Sequence, residues 1–538
     1  MEKTFNIIEK WSERKVNSKK FNEAFQVDGI PLWYFIEPSV KALYFPKTFK
    51  ILAKIEENIE NNKIPSFFDN MRFNISSFIL RKGLMINEKI KLLISRSKQE
   101  SVGDKDVLFV VYTNQISESG KKIEYAMLGY LVDTLKKIKI RPLVLVCDPF
   151  SKNSFFKILK YENTICSYVT PEAIKESKKK SEELNRKWKT LDEKTKIKLF
   201  TFQGRNYWKF FKNEINFLFS KEVVFNLIKY YLTFKHIIKK HDLKMAYLLG
   251  DAGFIETPTC LAFYKLNRMM LSQLCADWAG YPLLKKEFCE NVFFTTTHAG
   301  KEKLLRWGAK NRNIFKTGSP TLDKIVQFKK RKIPKKAKKT ISLLTTAIEQ
   351  DGLIEEKEYF GIIRKVLVQI NNAKNIGKII IKLHPRDTHI SEYASIVKSL
   401  NLKNVEILRN PPSGVQYTKD FLYSVISDSD LIVSFTSSID VESLLLDKNV
   451  INIEVIEDFR NFEYKKATIT IEKDDNLTRV INKVLSDKNL QEKLKREREE
   501  YLKKSFFKVD GKAHERTANL IRRLIKYREQ RPINKKET

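Results

Sequence analysis

The 538-residue chain is 42% hydrophobic and 12% aromatic, a composition that excludes an extended disordered protein and requires more than one hydrophobic core. Lysine and arginine number 101 against 65 aspartates and glutamates, and the resulting formal charge of +36 favours anionic partners: a phosphate-bearing substrate, an anionic membrane face or nucleic acid. Cys147, Cys166, Cys260, Cys275 and Cys289 are scattered without a zinc or redox spacing, so buried thiols in a reducing cytosol are the plain reading.

Met1 opens a mixed polar segment, so no secretory leader is expected, and apolar runs are broken by charge well before the roughly 20 residues a membrane span needs. Residues 1–100 lack a βαβ rhythm. Within them Met71–Ser97 interleaves apolar residues with Arg and Lys, which suits docking on the neighbouring domain or an anionic membrane surface. The first α/β unit is read over 101–320. Asp106–Tyr112, Arg141–Cys147, Met245–Asp251, Asn291–Thr297 and Ile314–Thr317 are its strands. Tyr125–Lys137, Pro258–Leu274 and Lys301–Gly308 are its helices, with a charged helical excursion over Lys175–Lys198. The basic stretch 321–339, with KKRKIPKKAKK, reads as an exposed connection. A second series follows over 340–475, with strands at Thr340–Thr346, Ile379–Leu383, Val405–Leu408, Leu431–Ser434 and Val450–Ile453. Charged helices over 476–530, expected to bridge the two lobes, and a flexible tail over 531–538 complete the chain. Strands alternating with helices call for a doubly wound α/β sheet in each unit.

Chemistry concentrates where these strands end. The strand Leu431–Ser434 runs into Phe435-Thr436-Ser437-Ser438 and then a helix, an arrangement suited to a phosphate, with Glu442 one turn inside and within reach of a sugar hydroxyl. The alternative is that Ser437 or Ser438 only caps the helix. The strand Ile379–Leu383 runs into His384-Pro385-Arg386-Asp387; Pro385 restricts the backbone at His384, and Arg386 is a candidate phosphate ligand. His389 reads as a surface residue. In the first unit Asp251 and Glu256 are candidates to orient or deprotonate an acceptor hydroxyl, with a turn and a helix-end carboxylate as the structural alternative. His298, just past a strand ending in hydroxyls, is a further cleft candidate for substrate binding. Gly318 and Ser319 offer close backbone approach and a hydroxyl to a phosphate, or a capped turn. A P-loop, a G-x-G-x-x-G fingerprint and HExxH are absent from the sequence, and no carboxylate cluster in it demands a metal.

On these residues the chain resembles the GT-B superfamily, especially the branch holding UDP-N-acetylglucosamine 2-epimerases and the capsule, sialic-acid and glycerol-phosphate transferases. Val292–Ile325 is similar to the end of that branch's first domain, and Val509–Arg516 is similar to its DGKA-type ending. IKLHPRD resembles the transferases' histidine-proline motif, and VSFTSSIDVESLLLDKNVINI their serine-rich donor motif. The resemblance implies two facing Rossmann-like domains with a mainly helical N-terminal extension. It also implies that His384 contacts a donor phosphate while Ser437 and Ser438 grip the nucleotide. The epimerases carry serine-glycine-glycine where this chain has Thr436-Ser437-Ser438, which moves the expectation toward a transferase.

The expected activity is therefore glycosyl transfer, with inversion, from a nucleotide-activated sugar to a cell-envelope glycan or lipid-linked acceptor. The setting would be cytoplasmic, with peripheral attachment to the membrane's inner face. No tightly bound cofactor is expected, and dependence on a divalent cation is left open. The alternatives are a non-hydrolysing nucleotide-sugar 2-epimerase, a CDP-polyol phosphotransferase and a nucleic-acid-binding protein, the last resting on charge alone.

Overall fold

A computed structural model describes residues 11, 13–16, 19–37, 103–112, 116–119, 122–125, 127–147, 161, 163–202, 204–249, 255–273, 292–330, 337–349, 354–384, 387, 389–409, 419–435, 437, 439–455 and 464–530. Asp251, Arg386 and Ser438 lie outside these residues, as do Met71–Ser97 and the tail 531–538.

The first unit is a parallel sheet of β1 (Val107–Tyr112), β2 (Pro142–Cys147), β3 (Met245–Leu248), β4 (Met269–Gln273), β5 (Val292–Thr295) and β6 (Ile314–Lys316). Their lateral order is β6-β5-β4-β3-β1-β2. Alternation along the strands feeds two cores. Leu108, Val110, Leu143, Leu145, Ala246 and Leu248 face one layer; Val107, Phe109, Val111, Met245 and Tyr247 face the other. On the first face lie α2 (Pro171–Thr190), α3 (Trp208–Leu218), α4 (Lys221–Lys240) and α5 (Glu256–Lys265). On the second lies α1 (Leu131–Lys137). The helix α6 (His298–Trp307) follows β5 and stops at Gly308, whose φ of 106° is open to glycine.

Two sequence expectations change here. The long helix over Pro258–Leu274 is instead α5 followed by β4, because Asn267 turns the chain at φ 50°. The helix over Tyr125–Lys137 starts only at Leu131, after an antiparallel hairpin of Ile116–Ser119 with Lys122–Tyr125. Gly129 sits between them at φ 53°, where a Cβ would lie 2.2 Å from the carbonyl oxygen of Pro320.

The two regions that break the βαβ rhythm pack on each other. Residues 11–37 contribute Trp11, Phe21, Phe25 and Trp33, and the charged excursion contributes Trp188, whose ring stacks on Phe219 at 4.2 Å. Phe21 and Phe25 meet Trp188 edge-on at 6.4 and 6.3 Å, and Trp11 meets Phe200 at 4.9 Å. The excursion is two helices: α2, capped by Thr170 and burying Ala173, Ser177, Ser181, Leu184 and Trp188 beneath its lysines, and a short helix Glu193–Leu199 capped by Asp192.

The second unit is a parallel sheet of β7 (Lys339–Leu344), β8 (Ile376–Lys382), β9 (Val405–Leu408), β10 (Leu431–Ser434), β11 (Val450–Glu454) and β12 (Ile469–Glu472). Its order is β9-β8-β7-β10-β11-β12. The helices α7 (Glu356–Asn371), α8 (Ile390–Ser399), α9 (Lys419–Ser427), α10 (Ile439–Leu445), α11 (Leu477–Ser486) and α12 (Lys488–Ser505) belong to this unit. The last, α13 (Ala513–Gln530), returns to the first unit, burying Ala518, Ile521 and Ile525 beside Val107, Leu131 and Leu135. Two such sheets make a GT-B-like α/β architecture. The stretch read as an exposed connection is built in at its start: Leu322 and Ile325 are buried in the second unit's core, and Asp323 is buried at the seam with α13. Among the described residues no helix is long and apolar enough to cross a membrane.

Candidate functional site

Open parallel sheets bind ligands beyond the carboxyl ends of their strands, where the order reverses. In the second sheet the chain builds outward from β7 to β8 and β9, then returns to place β10 on β7's other side. The reversal therefore lies between β7 and β10. In the first sheet it lies between β1 and β3.

At the second reversal, the loop after β7 supports the loop after β8. Thr345 Oγ1 accepts from the amide of His384 at 3.0 Å, while the Thr345 amide donates to the carbonyl of Lys382 at 3.1 Å. His384 is half-buried at the strand end. Asp387 is buried and closes the turn, its amide donating to the His384 carbonyl at 2.9 Å; its carboxylate accepts from the His389 amide and the Tyr393 hydroxyl, each at 2.9 Å. Asp387 therefore holds the histidine-proline loop onto α8. Beneath the loop, burial lowers the Lys382 ammonium to about 8. Its Nζ donates to the carbonyls of Leu383 at 2.7 Å and Arg409 at 3.3 Å.

The loop leaving β10 is tied down by Asp440, a residue the sequence reading did not single out. Its Oδ1 accepts from Ser434 Oγ at 2.5 Å, and its Oδ2 accepts from the Ser437 amide at 3.4 Å and the Tyr464 hydroxyl at 3.3 Å. Burial raises the Asp440 carboxyl to about 6 against those hydrogen bonds, and burial likewise pushes the Tyr464 phenol upward. Ser437 Oγ accepts from the Ile439 amide at 3.4 Å, and the Asp440 amide donates to the Ser437 carbonyl at 3.0 Å. The amides of Ser437, Ile439 and Asp440 are thus engaged within the loop, and Ser437 caps the turn. This is the alternative to an open phosphate cradle. Glu442 differs: Lys419 Nζ sits 2.6 Å from its Oε1, whereas its buried Oε2 has no hydrogen-bond partner among the described residues.

In the first unit, Tyr112 at the end of β1 donates to Oε1 of Glu256, the first residue of α5, at 2.5 Å. The bond spans that sheet's reversal point. His298 is the exposed first residue of α6, with Lys316 Nζ 3.5 Å from its Nδ1. Gly318 is taken up by the seam with α13, and the buried Ser319 precedes the turn Pro320–Leu322 without a side-chain capping bond. At Gly318, with φ 78°, a Cβ would lie 3.2 Å from both Ala513 Cβ and Arg516 Nη2. Its carbonyl accepts from Gln273 Nε2 at 2.8 Å, and Gln273 in turn accepts from Tyr247. Arg516 donates to the Thr317 carbonyl at 2.8 Å, so the two glycine-containing motifs near 318 and 511 dock on one another.

Residues 289–522 match the UDP-N-acetylglucosamine 2-epimerase family, a span that takes in β5 and β6 of the first sheet, the whole second sheet and the first part of α13. No curated protein matches the chain. Among solved structures, the chain is similar to S. aureus MnaA with UDP, at 13% identity and TM-score 0.48, covering 78% of this chain and 97% of that one. It is similar to the UDP-GlcNAc 2-epimerase of Neisseria meningitidis bound to UDP-GlcNAc, at 12% identity and TM-score 0.45, covering 78% and 100%. It is also similar to the wall teichoic acid polymerase TagF, at 11% identity and TM-score 0.42, covering 86% and 100%.

Proposed function

We propose that the chain is an enzyme that binds a nucleotide-activated sugar at the second sheet's reversal point and transfers the glycosyl group to a cell-envelope acceptor. The observation that carries the reading is Oε2 of Glu442, a buried carboxylate oxygen lacking a partner among the described residues. A buried acceptor left unmet costs roughly 1–3 kcal/mol. A ribose offers the hydroxyl donor that would meet it. His384 stands on the neighbouring strand end, in a position to meet a phosphate whose charge grows as the sugar departs. In this reading Ser438 and Arg386 complete the donor contacts, and Glu256, oriented by Tyr112, assists the acceptor hydroxyl together with Asp251 and His298. The family match over the second unit supports a nucleotide-sugar donor.

The same match favours a second reading, epimerisation of a UDP-linked N-acetyl sugar without an acceptor. One assay separates the two. The full chain is incubated with UDP-, CMP- and CDP-linked donors, with and without envelope glycan and lipid-linked acceptors. Acceptor-dependent release of nucleotide supports transfer; conversion of UDP-N-acetylglucosamine to its 2-epimer with no acceptor present replaces it with the second reading. Turnover of a CDP-linked polyol alone would assign a polyol-phosphate transferase. Attachment to an anionic membrane face through the N-terminal region belongs to the same proposal, and flotation with neutral and anionic liposomes tests it.

A further inference from the structure

We propose that Glu349, Asp387 and His389 form a binding site for a tetrahedrally coordinated divalent metal ion of the zinc type. The sequence gives no sign of it, since the three residues come from two loops, after β7 and after β8, and His389 reads there as a surface residue. In the fold the imidazole is turned inward and only 22% exposed, against 1% for the Glu349 side chain and 0% for that of Asp387.

The geometry suits a metal. His389 Nδ1 lies 3.6 Å from Glu349 Oε1 and 3.5 Å from Asp387 Oδ1, and one donor atom from each residue falls within 4.8 Å of the other two. Zinc ligands stand about 2.0–2.2 Å from the ion, so two of them at a tetrahedral angle are about 3.4 Å apart. Both nitrogen–oxygen spacings come close to that value. An octahedral ion with the same bond lengths would draw neighbouring donors to about 3.0 Å, a poorer fit. One imidazole with two carboxylates is a donor set that borderline first-row ions accept.

The surroundings orient these donors as a metal site requires. A ligating imidazole usually turns its second nitrogen to a carboxylate or carbonyl, which fixes the tautomer. His389 Nε2 faces Glu356 Oε1 at 3.9 Å, leaving Nδ1 for the ion, and the Phe360 ring meets the imidazole edge-on at 5.6 Å. The Asp387 carboxylate is held from behind by the Tyr393 hydroxyl at 2.9 Å, and that hydroxyl lies 3.3 Å from the Tyr359 hydroxyl. Two buried carboxylates this close also favour a cation between them. With three protein donors, a fourth position remains for water or an anionic ligand.

The proposal does not depend on the donor reading, and its test reads the metal alone. Zn²⁺ is titrated calorimetrically into the chelator-treated full chain, and Co²⁺ serves as a coordination probe through its visible d–d absorption. One equivalent is expected to bind, and Co²⁺ should give the intense spectrum of a tetrahedral ion. His389→Ala and Glu349→Gln should each weaken binding by at least about tenfold and abolish that spectrum; Glu356→Gln, which touches no ion, should weaken it by a smaller factor and keep the spectrum. Circular dichroism establishes that each variant is folded. If the folded wild-type chain shows no saturable binding, the cluster is an ion pair only and the proposal is overturned. Binding that both variants leave unchanged, or an octahedral Co²⁺ spectrum in the wild type, overturns it equally.

Discussion

The Nζ of Lys419 lies 2.6 Å from Oε1 of Glu442, and the two side chains are 16% and 8% exposed. The lysine heads α9 and the glutamate belongs to α10, so the pair couples two helices across the carboxyl end of the second sheet. Removing one partner of a buried pair leaves the other charge uncompensated.

Lys419→Met is therefore expected to destabilise the chain by about 3–5 kcal/mol. Glu442→Gln should cost less stability, because the amide oxygen can still accept a hydrogen bond from Lys419 although the ammonium loses its counter-charge. It should also raise the donor's dissociation constant by roughly tenfold or more, through loss of a charge-assisted hydrogen bond to ribose. Urea unfolding and nucleotide calorimetry measure the two effects separately. Unchanged nucleotide affinity in folded Glu442→Gln would remove the ribose contact.

His384→Ala should lower the catalytic rate by roughly 10²–10³-fold if the imidazole is a strong donor to the departing phosphate. The fold should survive, because the loop is held through the His384 amide and through Asp387, both of which remain. Steady-state kinetics with donor and acceptor varied in turn provide the check, with circular dichroism alongside. Near-normal turnover by the folded variant would end the assignment.

Asp440 gives a pH prediction with a definite sign. Its folded pKa is raised from 3.8 to about 6, so the folded state holds the proton over a range where the unfolded chain has released it. Its contribution is most favourable below about pH 4 and is lost as pH rises toward 6, by up to roughly 3 kcal/mol. Asp440→Asn should remove this slope. The difference between wild-type and variant urea midpoints, followed from pH 4 to 7, should shift against the wild type as pH rises and level off above 6. A difference flat across that range would show that Asp440 is not the group responsible.

The strands are readable from sequence because buried parallel strands are short apolar runs between polar stretches, as in Val107–Val111 and Leu431–Val433. Met269–Gln273 escapes for the converse reason: it continues the apolar pattern of the helix before it, and the only local signal is Asn267, a residue that tolerates φ above zero. The strand-end positions of His384, Glu442 and Glu256 follow from the same pattern. Their partners do not. Tyr112 is 144 residues from Glu256 and Lys419 is 23 from Glu442, and no periodicity links them. Asp440 looks like an ordinary acidic residue in a helix's first turn until the fold buries it. The packing around Gly318 is hidden for a similar reason, because its neighbour, α13, lies nearly 200 residues on in the chain.

The seam between the units yields the last prediction. Asp323 is 4% exposed, and its carboxylate accepts from the amides of Ala513 at 2.9 Å and His514 at 2.8 Å and from His514 Nδ1 at 2.7 Å. These are the first amides of α13, which have no carbonyl to meet inside their own helix. Asp323 therefore caps a helix that packs on the first unit, while the neighbouring Leu322 and Ile325 are buried in the core of the second. Asp323→Ala removes the cap and strands buried donors. The expected cost is about 2–4 kcal/mol, combining a lost cap with the desolvation penalty of unmet amides. Asp323→Asn keeps one acceptor oxygen and should cost about half as much. Because α13 is the return connection, the alanine variant should also expose the region near 507–513 to protease before the sheets open. Urea unfolding gives the first quantity, and limited proteolysis with mass mapping gives the second. An alanine variant within 0.5 kcal/mol of wild type, which is the range of an ordinary surface change, would show that the contact is incidental to the joining of the two units.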